Sequence, residues 1–342
     1  MQKRCCPQCF GDRGLRNDII PALDPGRGTC DFCGSKDVHL IEPRQIADVF
    51  ETLVGAYEES TDGKQLVQWM KEDWQLFSHP TMDVAHAKEL LSEILDDGDI
   101  TRRYFRPSEF LSGALAQWEK LRDELMYVNR YFLDNALDED REEHLGQLLG
   151  HLPADDLPET WYRARMKIGE GVFPIEEMGA PPRRLAAHGR ANPSGIPYLY
   201  LGSQPVTAAA EIRPHTGEVA CVAEFKLSGP VKAVDLRNPR GLVSPFVLGS
   251  ASAIAQLRAD LPFLERLGDE LTRPVQPQSA AIDYLPSQYF CEFIKKRGYD
   301  GVVYRSSVSD GINLALFDPS KARGIRVAEY TISKVSVDVA QI

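Results

Sequence analysis

Four cysteines near the start of the chain have the residue type and spacing of a metal site. Cys6-Pro7-Gln8-Cys9 and Cys30-Asp31-Phe32-Cys33-Gly34 are two CxxC pairs separated by twenty residues. Each pair presents two thiolates from one tight turn, and the long loop between them lets the turns meet as a tetrahedral four-sulfur zinc site. Four sulfur ligands leave no open position for water, so the zinc expected here is structural. Cys5 lies beside Cys6, and only the spacing rule selects Cys6 over it. A second source of chemistry is three polar clusters in the C-terminal half. They are Trp161-Tyr162-Arg163-Ala164-Arg165; the loop Gly189-Arg190-Ala191-Asn192 running into Tyr198-Leu199-Tyr200-Leu201, with Ala210-Glu211-Ile212-Arg213 after it; and Tyr299 to Ser307 followed by Gly311 to Phe317. A packed sheet does not require so many polar groups, although ordinary ion pairs and caps account for them equally well when each is taken alone.

Composition narrows what these residues can serve. Of the seven cysteines, five fall in the first 33 residues, while Cys221 and Cys291 stand alone in apolar surroundings. An odd, clustered set of this kind is a metal pattern and not a disulfide framework. With 50 acidic and 39 basic residues among 342, the formal charge is -11. That balance disfavours a protein that coats duplex phosphates, while leaving room for a local basic pocket that takes a small anion. The N-terminal module carries no strong nucleic-acid signal either, with seven basic and six acidic residues through Arg44. No run of 18 apolar residues exists and Met1 to Cys6 lacks the apolar stretch of a secretory signal, so the expectation is a cytoplasmic protein with no membrane partner.

Three regions must position the polar groups. Residues 1–42 are rich in turn formers, among them Gly11, Gly14, Pro21, Pro25, Gly26, Gly28 and Gly34, and too poor in apolar residues to fold without a staple; they read as a zinc-ribbon-like module. Residues 43–152 read as a helical domain. Its faces are Ile46 to Tyr57, Leu66 to Phe77, Val84 to Leu95, Phe110-Leu111 to Leu125, and a less regular one from Tyr131 to Leu149. Trp69, Trp74, Trp118 and Phe132 read as core at helical spacing. Between Asp134 and Glu159 nine acidic residues accompany a single basic one, Arg141, which marks a boundary. Residues 158–342 read as α+β. Short strands are expected at Tyr198–Leu201, Val219–Leu227, Val231–Leu236, Gly301–Tyr304, Leu314–Phe317 and Ile325–Val339, with helices opening at Pro205 and running from Ser287 to Arg297.

The order of an arginine, a Gly-Arg-x-Asn loop before a Tyr-Leu strand, an Ala-x-x-Glu-x-Arg helix, and a Tyr-x-Ser strand with a downstream Asn-Leu strand resembles the RES-domain family. The resemblance spans about Trp161 to Val339. The first half is more loosely similar to the amino-terminal extension of larger HEPN/RES-type members. The resemblance implies a fold similar to ADP-ribosyltransferases and membership among bacterial toxins that degrade NAD by phosphorolysis or hydrolysis, the smaller of which are neutralised by a DNA-binding antitoxin. Carried over residue by residue, it implies Glu211, Arg163 and Ser306 as catalytic residues. It implies Arg190, Tyr200, Asn192 and, in the other strand register, Tyr198 as substrate-binding residues. Ala191 and Arg305 stand where many relatives carry an aromatic residue and a proline.

On that resemblance NAD is a substrate, with inorganic phosphate as a candidate co-substrate. Cleaving the nicotinamide–ribose bond develops positive charge on the sugar, which the Glu211 carboxylate would stabilise. Arg163 and Arg190 suit pyrophosphate through charge-assisted hydrogen bonds. Tyr200 would stack on the nicotinamide and Ser306 would bind its carboxamide. Two alternatives stay open: an ADP-ribosyltransferase acting on a macromolecule, and a noncatalytic nucleotide-binding or protein-interaction module. Candidate partners are an antitoxin or regulatory protein and a second copy of the chain. A dinucleotide-binding dehydrogenase is poorly supported, because no Gly-x-Gly-x-x-Gly follows an expected strand.

Overall fold

The structure, a computed structural model, describes residues 3–23, 26–110, 112–276 and 278–336. The chain divides into two compact units, one made of residues 1–116 and 238–265 and the other of residues 117–237 and 266–342. Among the described residues no helix is long and apolar enough to cross a membrane.

In the first unit the cysteine turns come first. The helix Pro7–Phe10 starts with Cys6 as its cap and stops at Gly11, whose left-handed φ of 72° ends the turn. Strands β1 (Gly26–Gly28) and β2 (Val38–Leu40) pair antiparallel and carry the second turn between them. Helices Ala47–Val54, Leu66–Trp74 and Val84–Leu95 follow the expected apolar periods. Tyr57 departs from expectation. The first of these helices ends at Val54, and Tyr57 instead opens β3 (Tyr57–Lys64), which pairs with β4 (Phe105–Pro107). The reason lies in Glu58 to Lys64, which offers no apolar face to a helix, whereas the Tyr57 hydroxyl finds the buried Asp73 carboxylate at 3.0 Å. Phe10, Phe50, Phe77 and Phe246 pack ring against ring at 4.8 to 6.0 Å between centroids.

The second unit is built on a seven-stranded sheet. Its strands are β5 (Thr160–Met166), β6 (Leu199–Gly202), β7 (Val219–Leu227), β8 (Ala233–Asp235), β9 (Gly301–Arg305), β10 (Ile312–Leu316) and β11 (Ala322–Thr331), in the spatial order β11-β7-β5-β6-β10-β9-β8. Every neighbouring pair is antiparallel except β8 with β9. β5 was not anticipated, because Arg163 and Arg165 interrupt its apolar alternation. The end of the expected last strand, residues 337–339, lies outside the described residues, as does Leu111.

Period-two alternation sorts the sheet into two faces. Leu199, Leu201, Cys221, Ala223, Phe225, Val303, Leu314 and Leu316 share one apolar cluster with Trp161 and Met178. The intervening positions of the central strands carry Tyr200, Gly202, Tyr304 and Asn313, and the register sets Asn313 opposite both Gly202 and Tyr304. β5 and β6 share a single register pair, Tyr162 with Gly202, so the sheet opens on either side of that point. The helix Pro205–Glu211 crosses close to it. A Cβ on Gly202 would stand 2.8 Å from the Ala208 amide nitrogen, a separation only glycine permits.

Helices complete this unit. Leu285–Lys296 buries Phe290, Phe293 and Ile294 of the expected stripe together with Cys291, while Tyr289, expected on the same stripe, is half-buried. Ala251–Thr272, 22 residues long with Pro262 inside, was not anticipated; its turns from Arg266 onward belong here. Phe132 corrects another expectation. It is 86% exposed, and the helix expected from Tyr131 begins only at Glu139, capped by Asp138. The intervening chain is turned instead by Glu124, whose carboxylate accepts the Asp134 and Asn135 amides at 2.6 and 2.9 Å.

Candidate active site

The opening between β5 and β6 leads into a cleft of about 490 Å³ lined by Arg163, Arg190, Tyr200, Glu211, Tyr304 and Asn313 among others. Glu211 ends its helix and is exposed to the cleft. Its Oε1 accepts two hydrogen bonds, from Ser306 Oγ at 2.7 Å and from Asn313 Nδ2 at 2.6 Å. Both donors are neutral and buried, and together they fix one carboxylate oxygen in direction. Ser306 owes its place to the end of β9, where its amide donates to Gly311 O at 3.0 Å.

Arg163 crosses the sheet opening and donates from Nη1 to Tyr200 O at 3.2 Å. Its Nε is buried and has no hydrogen-bond partner among the described residues. Burial pushes the guanidinium below its ordinary range, with Arg165 adding repulsion. A half-buried cation with an unused donor beside the cleft is able to take an anion. Tyr200 is fixed at its far end: its hydroxyl donates to Asn192 Oδ1 at 2.7 Å and accepts the Ala191 amide at 2.9 Å. Asn192 in turn donates to Ala187 O and Pro193 O, both at 3.0 Å, so it shapes the loop that carries Arg190. A Cβ on Gly189 would meet Asn192 Oδ1 at 2.4 Å and the Tyr200 hydroxyl at 2.7 Å, which accounts for the glycine. Arg190 donates from Nη1 to Arg273 O at 2.7 Å and lies 5.3 Å from the Tyr284 ring centroid.

The structure thus brings Arg163, Arg190, Tyr200 and Glu211 to one cleft, with Ser306 and Asn192 directly behind two of them. Tyr198 is elsewhere: buried, with its ring 4.9 Å from Phe317 and outside the cleft lining. Ala191 is fully buried, and Arg305 Nε donates to Arg237 O at 2.5 Å. Asn313 was not singled out as a site residue, although an amide at an inward position of the otherwise apolar Ile312–Leu316 is a detectable signal. Tyr284, Val275 and Arg213 also line the cleft. No local pattern marks the first two, since they reach the site only through the folding of a distant segment.

The four cysteines form a separate cluster. Cys6, Cys9, Cys30 and Cys33 are buried, unbridged thiols whose sulfurs all lie within 4.8 Å of one another. Neighbouring sulfur separations are 3.9 Å for Cys6 and Cys9, 3.5 Å for Cys6 and Cys33, and 3.4 Å for Cys9 and Cys30. A tetrahedral zinc with bonds of about 2.3 Å separates its sulfurs by about 3.8 Å, so the donor set fits zinc. Cys5 is outside the cluster, and its backbone is paired with Ile41 in both directions at 3.0 Å.

Comparison with known proteins agrees with the extent of this sheet. The RES domain, as a family, matches residues 160–337. Among solved structures, the M. tuberculosis MbcT-MbcA toxin-antitoxin complex in its crystal structure is similar at 16% identity, over 58% of this chain and 96% of that chain, with a TM-score of 0.31. No curated protein matches.

Proposed function

The chain belongs to the RES-domain family, and from that membership we propose that its C-terminal unit consumes NAD, cleaving the nicotinamide–ribose bond by phosphorolysis or hydrolysis in the role of a toxin or stress-defence effector. The observation that carries the reading is the carboxylate of Glu211, set in a cleft with two arginines and, among the described residues, tethered through one oxygen.

Loss of nicotinamide leaves the ribose short of electrons at its anomeric carbon, and a fixed anion nearby lowers the energy of that state. Glu211 suits the task because Ser306 and Asn313 hold Oε1, leaving Oε2 uncommitted among the described residues for a ribose hydroxyl or the attacking group. Arg163 and Arg190 supply the cations that a pyrophosphate or an incoming phosphate needs. Tyr200 offers a ring whose orientation Asn192 and Ala191 fix. In hydrolysis, NAD and water give nicotinamide, ADP-ribose and a proton; in phosphorolysis, NAD and phosphate give nicotinamide and ADP-ribose-1''-phosphate. Ser306 reads here as a positioning residue for Glu211, since its hydroxyl is already spent on that carboxylate.

The test is a time course of purified protein with NAD, with and without inorganic phosphate, resolving nicotinamide and both sugar products, beside Glu211→Ala. Phosphate-dependent nicotinamide release that the variant abolishes supports phosphorolysis at this site, and release as ADP-ribose supports hydrolysis. Absence of turnover in the wild-type protein, with or without phosphate, overturns the reading.

A further inference from the structure

Glu270 is fully buried in the last turn of Ala251–Thr272, yet it touches three arginines. Its Oε1 lies 3.0 Å from Arg122 Nε and 2.9 Å from Arg266 Nη2, and its Oε2 lies 3.4 Å from Arg273 Nη2. Arg266 is shared with Glu119 at 2.6 Å. Removing a carboxylate from water is costly, and one guanidinium with good geometry is enough to neutralise it. Three cations on one buried anion do more: they pin the helix Ala114–Tyr127, through Arg122, to the last turns of Ala251–Thr272 and fix Arg273 just past that helix's end. What that point controls follows from Arg273. Its side chain joins the cluster and also donates from Nη2 to Asp283 O at 2.9 Å. Its main-chain carbonyl accepts Arg190 Nη1 at 2.7 Å. Next to Asp283 stands Tyr284, whose ring faces the Arg190 guanidinium and whose carbonyl accepts Ser287 Oγ at 3.0 Å. The same Ser287 hydroxyl lies 2.5 Å from Arg190 O.

We propose that Glu270 and Arg273 are positioning residues for Arg190, the buried ion cluster setting the direction in which the Arg190 guanidinium meets the anionic part of a substrate. The two groups that hold that guanidinium, a carbonyl and a ring, are both placed by Arg273, and Arg273 is placed by Glu270. Arg190 therefore owes its aim to a carboxylate it does not touch. The orientation of Arg190 stands on geometry alone, whereas its consequence for turnover rests on the NAD-consuming reading.

The experiment observes the Arg190 side chain directly. Guanidinium rotation about the Nε–Cζ bond is measured by NMR on arginine-labelled full-length protein, the Arg190 signal being identified by its loss in Arg190→Lys. Rotation at least tenfold faster in Arg273→Ala and Glu270→Gln than in wild type, with partial return in Arg273→Lys, is the expected result. Unchanged rotation in folded Arg273→Ala overturns the proposal. That variant keeps the main-chain carbonyl and replaces a side chain that is 27% exposed, so it tests the idea even where Glu270→Gln fails to fold. In the turnover assay, Arg273→Ala is expected to raise KM for NAD about tenfold with kcat within threefold, and to add nothing to the KM of Arg190→Lys; additive effects overturn the coupling. Lack of wild-type turnover sinks the NAD reading and leaves the rotation measurement to decide the positioning.

Discussion

At Glu211 one carboxylate oxygen is held and the other is uncommitted among the described residues, and the consequences differ for each neighbour. Glu211→Gln keeps the shape and removes the charge, so turnover of NAD is expected to fall by about 100-fold or more with little change in KM. Ser306→Ala leaves Asn313 on the same oxygen, so its loss is expected to be nearer tenfold, and the Ser306→Ala/Asn313→Ala pair is expected to lose more than the product of the two. Steady-state kinetics of the three variants separates these outcomes. Asp12 makes a prediction of another kind. Burial pushes its carboxyl up to about 6, against hydrogen bonds from the Leu15 amide and Ser244 that lower it. A carboxyl raised in the folded state binds its proton there first, so it contributes stability at low pH that is lost as pH rises from about 4 to about 6. The difference amounts to something on the order of 3 kcal/mol. Asp12→Asn is expected to remove that part of the pH dependence, which denaturant midpoints of both proteins at pH 4.5, 5.5 and 7 would show.

Among the elements, the helix Pro205–Glu211 depends on its closeness to β6. Gly202→Ala places a methyl 2.8 Å from the Ala208 nitrogen, and backbone cannot yield as a flexible side chain does. The helix must move, carrying Glu211 off the line of Ser306 and Asn313. Turnover is expected to fall at least tenfold while overpacking costs about 1–3 kcal/mol of stability, read as a lower Tm in the same preparation. Most elements were legible: β7 matches its expected range, Val219–Leu227, because nine residues alternate between two apolar faces. β5 was missed because arginines occupy positions that a strand buried on both faces would fill with apolar groups. Ala251–Thr272 escaped notice for a related reason, since Pro262 and the buried polar residues Asp260 and Glu270 break the apolar face a helix normally shows.

For the molecule as a whole, the cysteine cluster is the staple of a segment with little apolar material. One zinc per chain is expected by metal analysis of protein purified without added metal. Cys6→Ser is expected to lose it and Cys5→Ser to retain it, because Cys5 stands outside the four-sulfur group. Retention in Cys6→Ser with loss in Cys5→Ser would reverse that ligand assignment. The four cysteines were readable from residue type and short spacing, since a tight turn is set by local chain geometry, whereas Glu211, Arg163, Arg190 and Tyr200 were singled out by the resemblance to the RES-domain family and not by spacing. What only the tertiary structure decided lies at long separation: that Tyr200 lines the cleft while Tyr198 packs on Phe317, that Asn313 shares the carboxylate with Ser306, and that Arg190 is aimed by Arg273 and Glu270. Those arrangements follow from which strand lies beside which and where the sheet opens, and the period of a sequence fixes the face a residue occupies without fixing its neighbour across the sheet.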